Sequence, residues 1–312
     1  MKLFITGVTG FIGSRIAQLA LEQDLNVVGQ SYQHKHPLVD TVRLDINGNT
    51  NWRGCLTEVD CVIHCAAKVH DFSSDSTDYD EINTQGTLHL AQQAAAQGVK
   101  RFVFVSSIKV NGEFSFPSKP LTETVHEPPL DPYGKSKYKA ELGLLNIAEK
   151  TGMEIVIVRP PLVYGPGVKA NFYSMMKWVK RRIPLPLGAI DNRRSMIFVD
   201  NLADFLLLTC THPNAANEIF LISDDDDVST SRLLKLIAQK TPTKSCLIPV
   251  PQPLLCSMLS LVGLDTIAQK IVGNLQVDIG KAKYRLNWRP KYTLSQGIER
   301  TVNDFQNKNR SE

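Results

Sequence analysis

Tyr133 and Lys137 stand four residues apart just after Asp131 and Pro132, a spacing that puts both side chains on one face at the start of a helix. Asp131 is the expected N-cap and Pro132 the expected first-turn residue. A phenol ionises near pKa ~10, and each unit by which a site lowers that value takes about 1.4 kcal/mol. A nearby ammonium, the positive end of a helix and a cationic nicotinamide ring would all act in that direction. Ser107 ends the apolar run 101–107, where its hydroxyl can hold a substrate oxygen beside the phenol. Taken singly, these residues read as a surface helical pair and a loop cap. Together, in this chain order, they read as a catalytic set that passes a proton alongside a hydride.

The hydride implies a carrier, and the first residues supply a place for one. Gly7, Gly10 and Gly13 lie between an apolar run at 2–6 and a helical period at 11–23, with Thr9, Phe11 and Ile12 between and after the glycines. There the backbone can approach a pyrophosphate and the free N–H groups of a helix start can bind it. Dinucleotide sites that prefer NAD place a carboxylate after the second strand, whereas this chain has Gln30, Ser31 and Tyr32, followed by His34, Lys35 and His36. Either NAD or NADP fits this pattern, with NADP slightly favoured, although the same residues also read as an ordinary loop. Asp45 and Ile46, after the third strand, are expected to flank the adenine.

Short apolar runs at 2–6, 27–30, 41–44, 61–66, 101–107 and 154–159 have the look of buried parallel strands. They are separated by helical stretches at 11–23, 79–97 and 133–150. The alternation predicts an α/β fold, a Rossmann-type doubly wound parallel sheet over residues 1–160, with a smaller C-terminal α/β substrate lobe over 161–312. A segment near 195–222, with a strand at 218–222, is expected to return to the sheet. Prolines at 160, 161, 166, 184 and 186 mark the change of pattern, and helices are expected at 171–182, 200–211, 229–239 and 294–305.

With 312 residues and 43% hydrophobic content the chain can bury a full core. Its 35 basic and 31 acidic residues, a net +4, argue against a nucleic-acid partner. The cysteines, 6 in number, have no zinc-ligand spacing, so no metal is expected and the thiols read as reduced. The first residues do not resemble a signal peptide, and a cytoplasmic location is expected. The apolar stretch 247–264 is interrupted by prolines and too short to span a bilayer. It reads as a core or lobe helix, with contact at a membrane surface as the lesser alternative. Lys177, Lys180, Arg181 and Arg182 read as a solvated helix face, and Asp224 to Asp227 as a solvated turn.

Several longer motifs carry a resemblance. Gly7-Val-Thr-Gly10-Phe-Ile-Gly13, His64-Cys-Ala-Ala67, Asn83-Thr-Gln-Gly86-Thr87, Val105-Ser-Ser107 and Tyr133-Gly-Lys-Ser-Lys137 resemble the extended short-chain dehydrogenase/reductases. Residues 159–167 and 193–200 extend the likeness to sugar-nucleotide members related to UDP-galactose 4-epimerase. The resemblance implies redox chemistry at C4 of a nucleotide-activated, UDP-linked sugar, and a homodimer built on the helices at 79–97 and 133–150. It implies cofactor contacts at Ala66, Ala67, Asn83, Ser106 and Pro160 beside those already named, including Ser31, Tyr133 and Lys137. It also implies substrate contacts at Ser107, Lys109, Asn171 and Arg193.

The departures matter as much. Ile108 and Lys109 stand where the dehydratases of this family carry Asp-Glu, which disfavours dehydration. Ser31 replaces the acid that the epimerases keep, Leu162 an asparagine and Asn111 a tyrosine. These substitutions point first to a 4-keto-sugar reductase in surface-polysaccharide precursor synthesis. The alternatives are a 4-epimerase of UDP-glucose or UDP-N-acetylglucosamine, and a non-catalytic NADP sensor, which would have no need of the tyrosine–lysine pair.

Overall fold

The computed structural model describes residues 1–69, 76–242 and 246–308. Its centre is a parallel sheet of β1 (Lys2–Thr6), β2 (Asn26–Ser31), β3 (Asp40–Arg43), β4 (Cys61–His64), β5 (Arg101–Val105), β6 (Glu154–Arg159) and a later strand, Glu218–Leu221. The short apolar runs become strands because helices cover both faces: every residue of β4 and β5 is buried. The strand order runs β3, β2, β1, β4, β5, β6 and then Glu218–Leu221, so the chain leaves β1 in both directions. That reversal opens a crevice at the carboxyl ends of β1 and β4, where open α/β sheets bind ligands.

One face of the sheet packs on α1 (Phe11–Leu21), through Ile16, Ala17 and Ala20. The other packs on α3 (Thr87–Ala96) and α4 (Pro132–Thr151). The single helix expected over 79–97 is instead three pieces: α2 (Ser76–Tyr79), a π-helical turn at Asp80–Gly86, and α3. Tertiary contacts explain the widened turn. The Asn83 amide reaches out to the backbone of Lys68 and to Ser136, and a Cβ on Gly86 would lie 2.7 Å from Ile46. Such turns recur at functional sites.

Beyond β6 come a two-stranded parallel pair, β7 (Leu162–Tyr164) with β8 (Met196–Phe198), and the helices α5 (Ala170–Lys180) and α6 (Val199–Thr209). The strand at Glu218–Leu221 is β9, which returns to the central sheet as expected and there pairs with β6. Five more helices follow: α7 (Thr230–Gln239), α8 (Gln252–Leu261), α9 (Asp265–Val272), α10 (Gly280–Leu286) and α11 (Leu294–Lys308). A separate apolar core gathers Tyr164, Phe172, Phe198, Leu234, Ile298 and Phe305 from these elements.

Asp224 to Asp227 form a turn that is solvated only in part: Asp225 is exposed and Asp226 half-exposed, whereas Asp224 and Asp227 are tied into the protein. Asp224 is buried, accepting from the Phe198 backbone, Asn201 and the Tyr164 hydroxyl, and burial raises its carboxyl to about 6. Asp227 accepts from Ser195 and Gln276. The acids join β8 to the C-terminal helices, a role only the fold could assign. Of the two readings of the stretch 247–264, a core or a lobe helix, the structure gives the second: α8 forms, and within it only Leu255 is buried.

Candidate active site

A cavity of about 1510 Å³ opens along the carboxyl edge of the sheet. Its wall at β1 is the glycine loop. Gly7 takes a φ of +63°, and a Cβ there would lie 3.0 Å from the Ala66 backbone. A Cβ on Gly13 would lie 2.3 Å from the Gly7 carbonyl oxygen, so this corner tolerates no side chain. Gly10 caps α1 without a side-chain hydrogen bond and no acid sits in the first turn, leaving the helix N–H groups facing the cavity. The cradle fits the pyrophosphate of a dinucleotide.

Gln30, which the sequence reading did not assign to the site, fixes this loop. Its amide oxygen accepts from the Gly7 N–H at 3.0 Å and its amide nitrogen donates to the Leu44 carbonyl at 2.6 Å. Next to it the Ser31 hydroxyl donates to the His34 carbonyl. His36 is buried, bonded to Ser14 at 3.0 Å, and desolvation lowers its pKa below the ordinary 6.5. Of the three basic residues expected near the ribose, this one is turned inward and neutral.

The chemical end of the cavity is built by β5, β6 and α4. Ser107 follows β5 and caps a 3₁₀ turn at Ile108–Val110, its hydroxyl accepting from the Lys109 N–H at 3.3 Å. Asp131 caps α4 as expected, accepting from the Gly134 N–H at 3.1 Å, with Pro132 in the first turn. Tyr133 is thereby hydrogen-bonded to Ser107, and its ring meets Tyr79 edge-on at 6.4 Å. One turn on, Lys137 is 1% exposed; its ammonium donates to the Val105 carbonyl at 2.9 Å and lies 4.5 Å above the Phe104 ring.

Burial dominates both groups. It lowers Lys137 from 10.5 to about 8, and it pushes Tyr133 up to about 12, against the downward pull of the Ser107 hydrogen bond. The fall expected for the phenol is therefore not built into the protein alone. Asp131 and Tyr79 oppose phenolate charge, and the Lys137 ammonium is directed at a backbone carbonyl.

Behind the set lies a buried charge pair. Arg159 at the end of β6 makes a two-pronged contact with Glu141 of α4, at 3.0 and 2.6 Å, and Glu141 also accepts from Ser106. The second guanidinium arm donates to the Asn111 side chain at 3.0 Å and to the Glu123 carbonyl at 2.9 Å. Asn111, read from sequence only as a missing tyrosine, thus anchors the loop that follows Ser107. Glu141→Ala would leave Arg159 buried without its carboxylate, a loss of about 3–5 kcal/mol. Urea unfolding of the two proteins measures it, and a difference under about 1 kcal/mol would mean that water enters to replace the carboxylate.

Most of the residues named from sequence line this one cavity: Gly7, Thr9, Gly10, Phe11, Ile12, Gly13, Ser31, Asp45, Ile46, Ala66, Ala67, Ser106, Ser107, Lys109, Tyr133, Lys137, Pro160 and Asn171. Lys109 is held between Glu113 at 3.0 Å and Asp131 at 3.2 Å. Two residues are not brought there. Asn83 is fully buried and braces the loop after β4 against α4.

Arg193 is exposed and outside the cavity, while its neighbour Arg194 lines it. Successive side chains of extended backbone point to opposite sides. The pairing of Arg194 with Val228 and Leu275 decides which one faces in. Arg194 donates to the Lys270 and Gly273 carbonyls, both at 3.2 Å, and no carboxylate pairs with it among the described residues.

A UDP-glucose 4-epimerase from Vibrio cholerae is 40% identical over 97% of this chain and 95% of its own. The crystal structure of UDP-glucuronic acid 4-epimerase from Bacillus cereus in complex with NAD superposes with a TM-score of 0.82 at 22% identity, covering 100% of this chain and 99% of the other. That of UDP-glucose 4-epimerase from Thermotoga maritima with UDP-glucose gives 0.78 at 23% identity, with 99% of each chain covered. The NAD dependent epimerase/dehydratase family model matches residues 3–223, which hold the glycine cradle, the serine, the tyrosine and the lysine. By that match and the 40% identical relative, the chain belongs to the NAD dependent epimerase/dehydratase family.

Proposed function

We propose that this chain is a 4-epimerase of a UDP-linked hexose, with NAD as its resident carrier. The observation that carries the reading is the hydrogen-bonded Tyr133–Ser107 pair standing in one cavity with the buried Lys137, the glycine cradle and the guanidinium of Arg194. The 40% identical relative supports it.

In this reading the backbone of Gly7, Gly10 and Gly13 holds the pyrophosphate, Asp45 and Ile46 flank the adenine, and Ala66, Ala67, Ser106 and Pro160 border the nicotinamide. When bound, NAD supplies a hydride acceptor that later becomes the donor. Ser107 holds the sugar C4 oxygen beside Tyr133, which as the phenolate takes the C4 hydroxyl proton and as the resulting phenol gives it back. Lys137 keeps positive charge near the phenolate, and Arg194 holds the diphosphate while the keto sugar turns over. Asn171 and Lys109 border the sugar. Residues 1–160 with 195–222 form the cofactor unit and 161–312 chiefly the substrate lobe; two copies pair through α3 and α4.

A 4-keto-sugar reductase is the second reading. It is favoured by Ser31, which offers the adenosine ribose no carboxylate and so leaves the cofactor freer to exchange. NADP loses its earlier edge because His36 is turned into the protein and neutral. One experiment separates the readings: purified protein incubated with UDP-glucose, UDP-N-acetylglucosamine and their 4-keto forms, with and without added NADH or NADPH. Interconversion of C4 epimers without added cofactor is the expected result. Stoichiometric consumption of NADH or NADPH with a keto sugar selects the reductase, and inertness toward all of them overturns both.

A further inference from the structure

The active site accounts for the inner side of α9, where Ile267, Lys270 and Ile271 line the cavity, but leaves the outer side of α8 and α9 unexplained. α8 carries no charged residue. Leu254 and Met258 are each 55% exposed, Leu261 is 86% and Val262 66% exposed, and Ile248 before the helix is 47% exposed. A continuous apolar surface of this kind marks an interaction site.

The patch has a charged border. Leu185 pairs with Leu247, and the Gly188 N–H donates to the Ile248 carbonyl, so the chain leaving α5 runs beside the chain entering α8. Lys177, Lys180, Arg181 and Arg182 are exposed on that neighbouring segment, together with Trp178. No acid occurs between residues 155 and 190, and Asp265 is the one acid between 246 and 272. Trp178 and Ile267 are exposed and also line the cavity, so patch and cavity mouth are continuous.

We propose that this face docks on an anionic lipid bilayer, the α8–α9 ridge entering the headgroup layer and the cationic row meeting lipid phosphates. An apolar ridge whose first helix carries no charge and whose second carries one acid, Asp265, flanked by lysine and arginine with a tryptophan at their junction, is the composition of an interfacial membrane contact. No helix among the described residues is long and apolar enough to cross a membrane, so the contact is a surface one. Docking would place the cavity mouth at the lipid surface. The inference is independent of which C4 reaction the site performs.

The test is co-sedimentation of the full chain with vesicles of phosphatidylcholine alone and of phosphatidylcholine with phosphatidylglycerol. Binding to the anionic vesicles, weakened by high salt, is expected. Leu261→Glu with Val262→Glu should reduce the bound fraction at least about tenfold, as should Lys180→Glu with Arg181→Glu and Arg182→Glu. Far-UV circular dichroism and thermal midpoint, unchanged in all variants, show that the fold is kept whether or not a sugar substrate is known. Wild-type protein that stays in the supernatant, or variants that bind like wild type, overturn the proposal. So does a concentration-dependent dimer dispersed by the Leu261→Glu, Val262→Glu pair in a protein that ignores vesicles.

Discussion

Tyr133→Phe is expected to bind NAD nearly as tightly as the wild type and to turn over about 10²- to 10⁴-fold more slowly, the range for one positioned acid–base group. The ring would keep its contact with Tyr79, since only the hydroxyl bonded to Ser107 is removed. With burial holding the phenol at about 12, the protein by itself carries it protonated at neutral pH. As a proton donor it is ready; as a base it needs positive charge brought near it, and the cavity beside it is shaped to receive such a charge. Cofactor titration by fluorescence and steady-state turnover on the same preparation check the two halves of the expectation. Wild-type turnover in the variant would remove Tyr133 from the mechanism.

Lys137→Met is expected to cost about 10²- to 10³-fold in turnover, the usual effect of removing one preorganised electrostatic contact. Its second effect concerns stability. Burial lowers the folded-state pKa of Lys137 from 10.5 to about 8, so the native protein resists holding that proton. The resulting penalty is fully present below about 8 and vanishes as the pH passes the unfolded value of 10.5. It is worth up to about 3.5 kcal/mol, at about 1.4 kcal/mol per unit of difference. Wild type should therefore gain stability relative to Lys137→Met as the pH rises through that window. Urea midpoints of both proteins at neutral pH and near the upper limit measure the gain, and parallel curves would mean that the ammonium is better hydrated than its burial implies.

Both effects come from residues visible in the sequence, but their signs were not. The i, i+4 spacing of Tyr133 and Lys137 correctly placed them in one turn of a helix capped by Asp131. It suggested an ammonium that lowers a phenol, whereas in the folded chain the ammonium donates to the Val105 carbonyl and desolvation raises the phenol. Desolvation depends on how many neighbours surround a group, and those neighbours come from β5, β6 and the loop after β4, distant in sequence.

Local pattern was sufficient wherever a single element decided the outcome. Apolar runs became buried parallel strands, and glycines at 7, 10 and 13 made the corner no side chain could fill. Only the tertiary structure could choose between Arg193 and Arg194, turn Asn83 from a cofactor contact into a brace, draw Asp224 into the interior, and pair Arg159 with Glu141 behind the catalytic set. Periodicity and turn chemistry act over a few residues and are written along the chain. Facing direction, burial and ion pairing depend on register and on partners up to hundreds of residues away, and they exist only once the elements have packed.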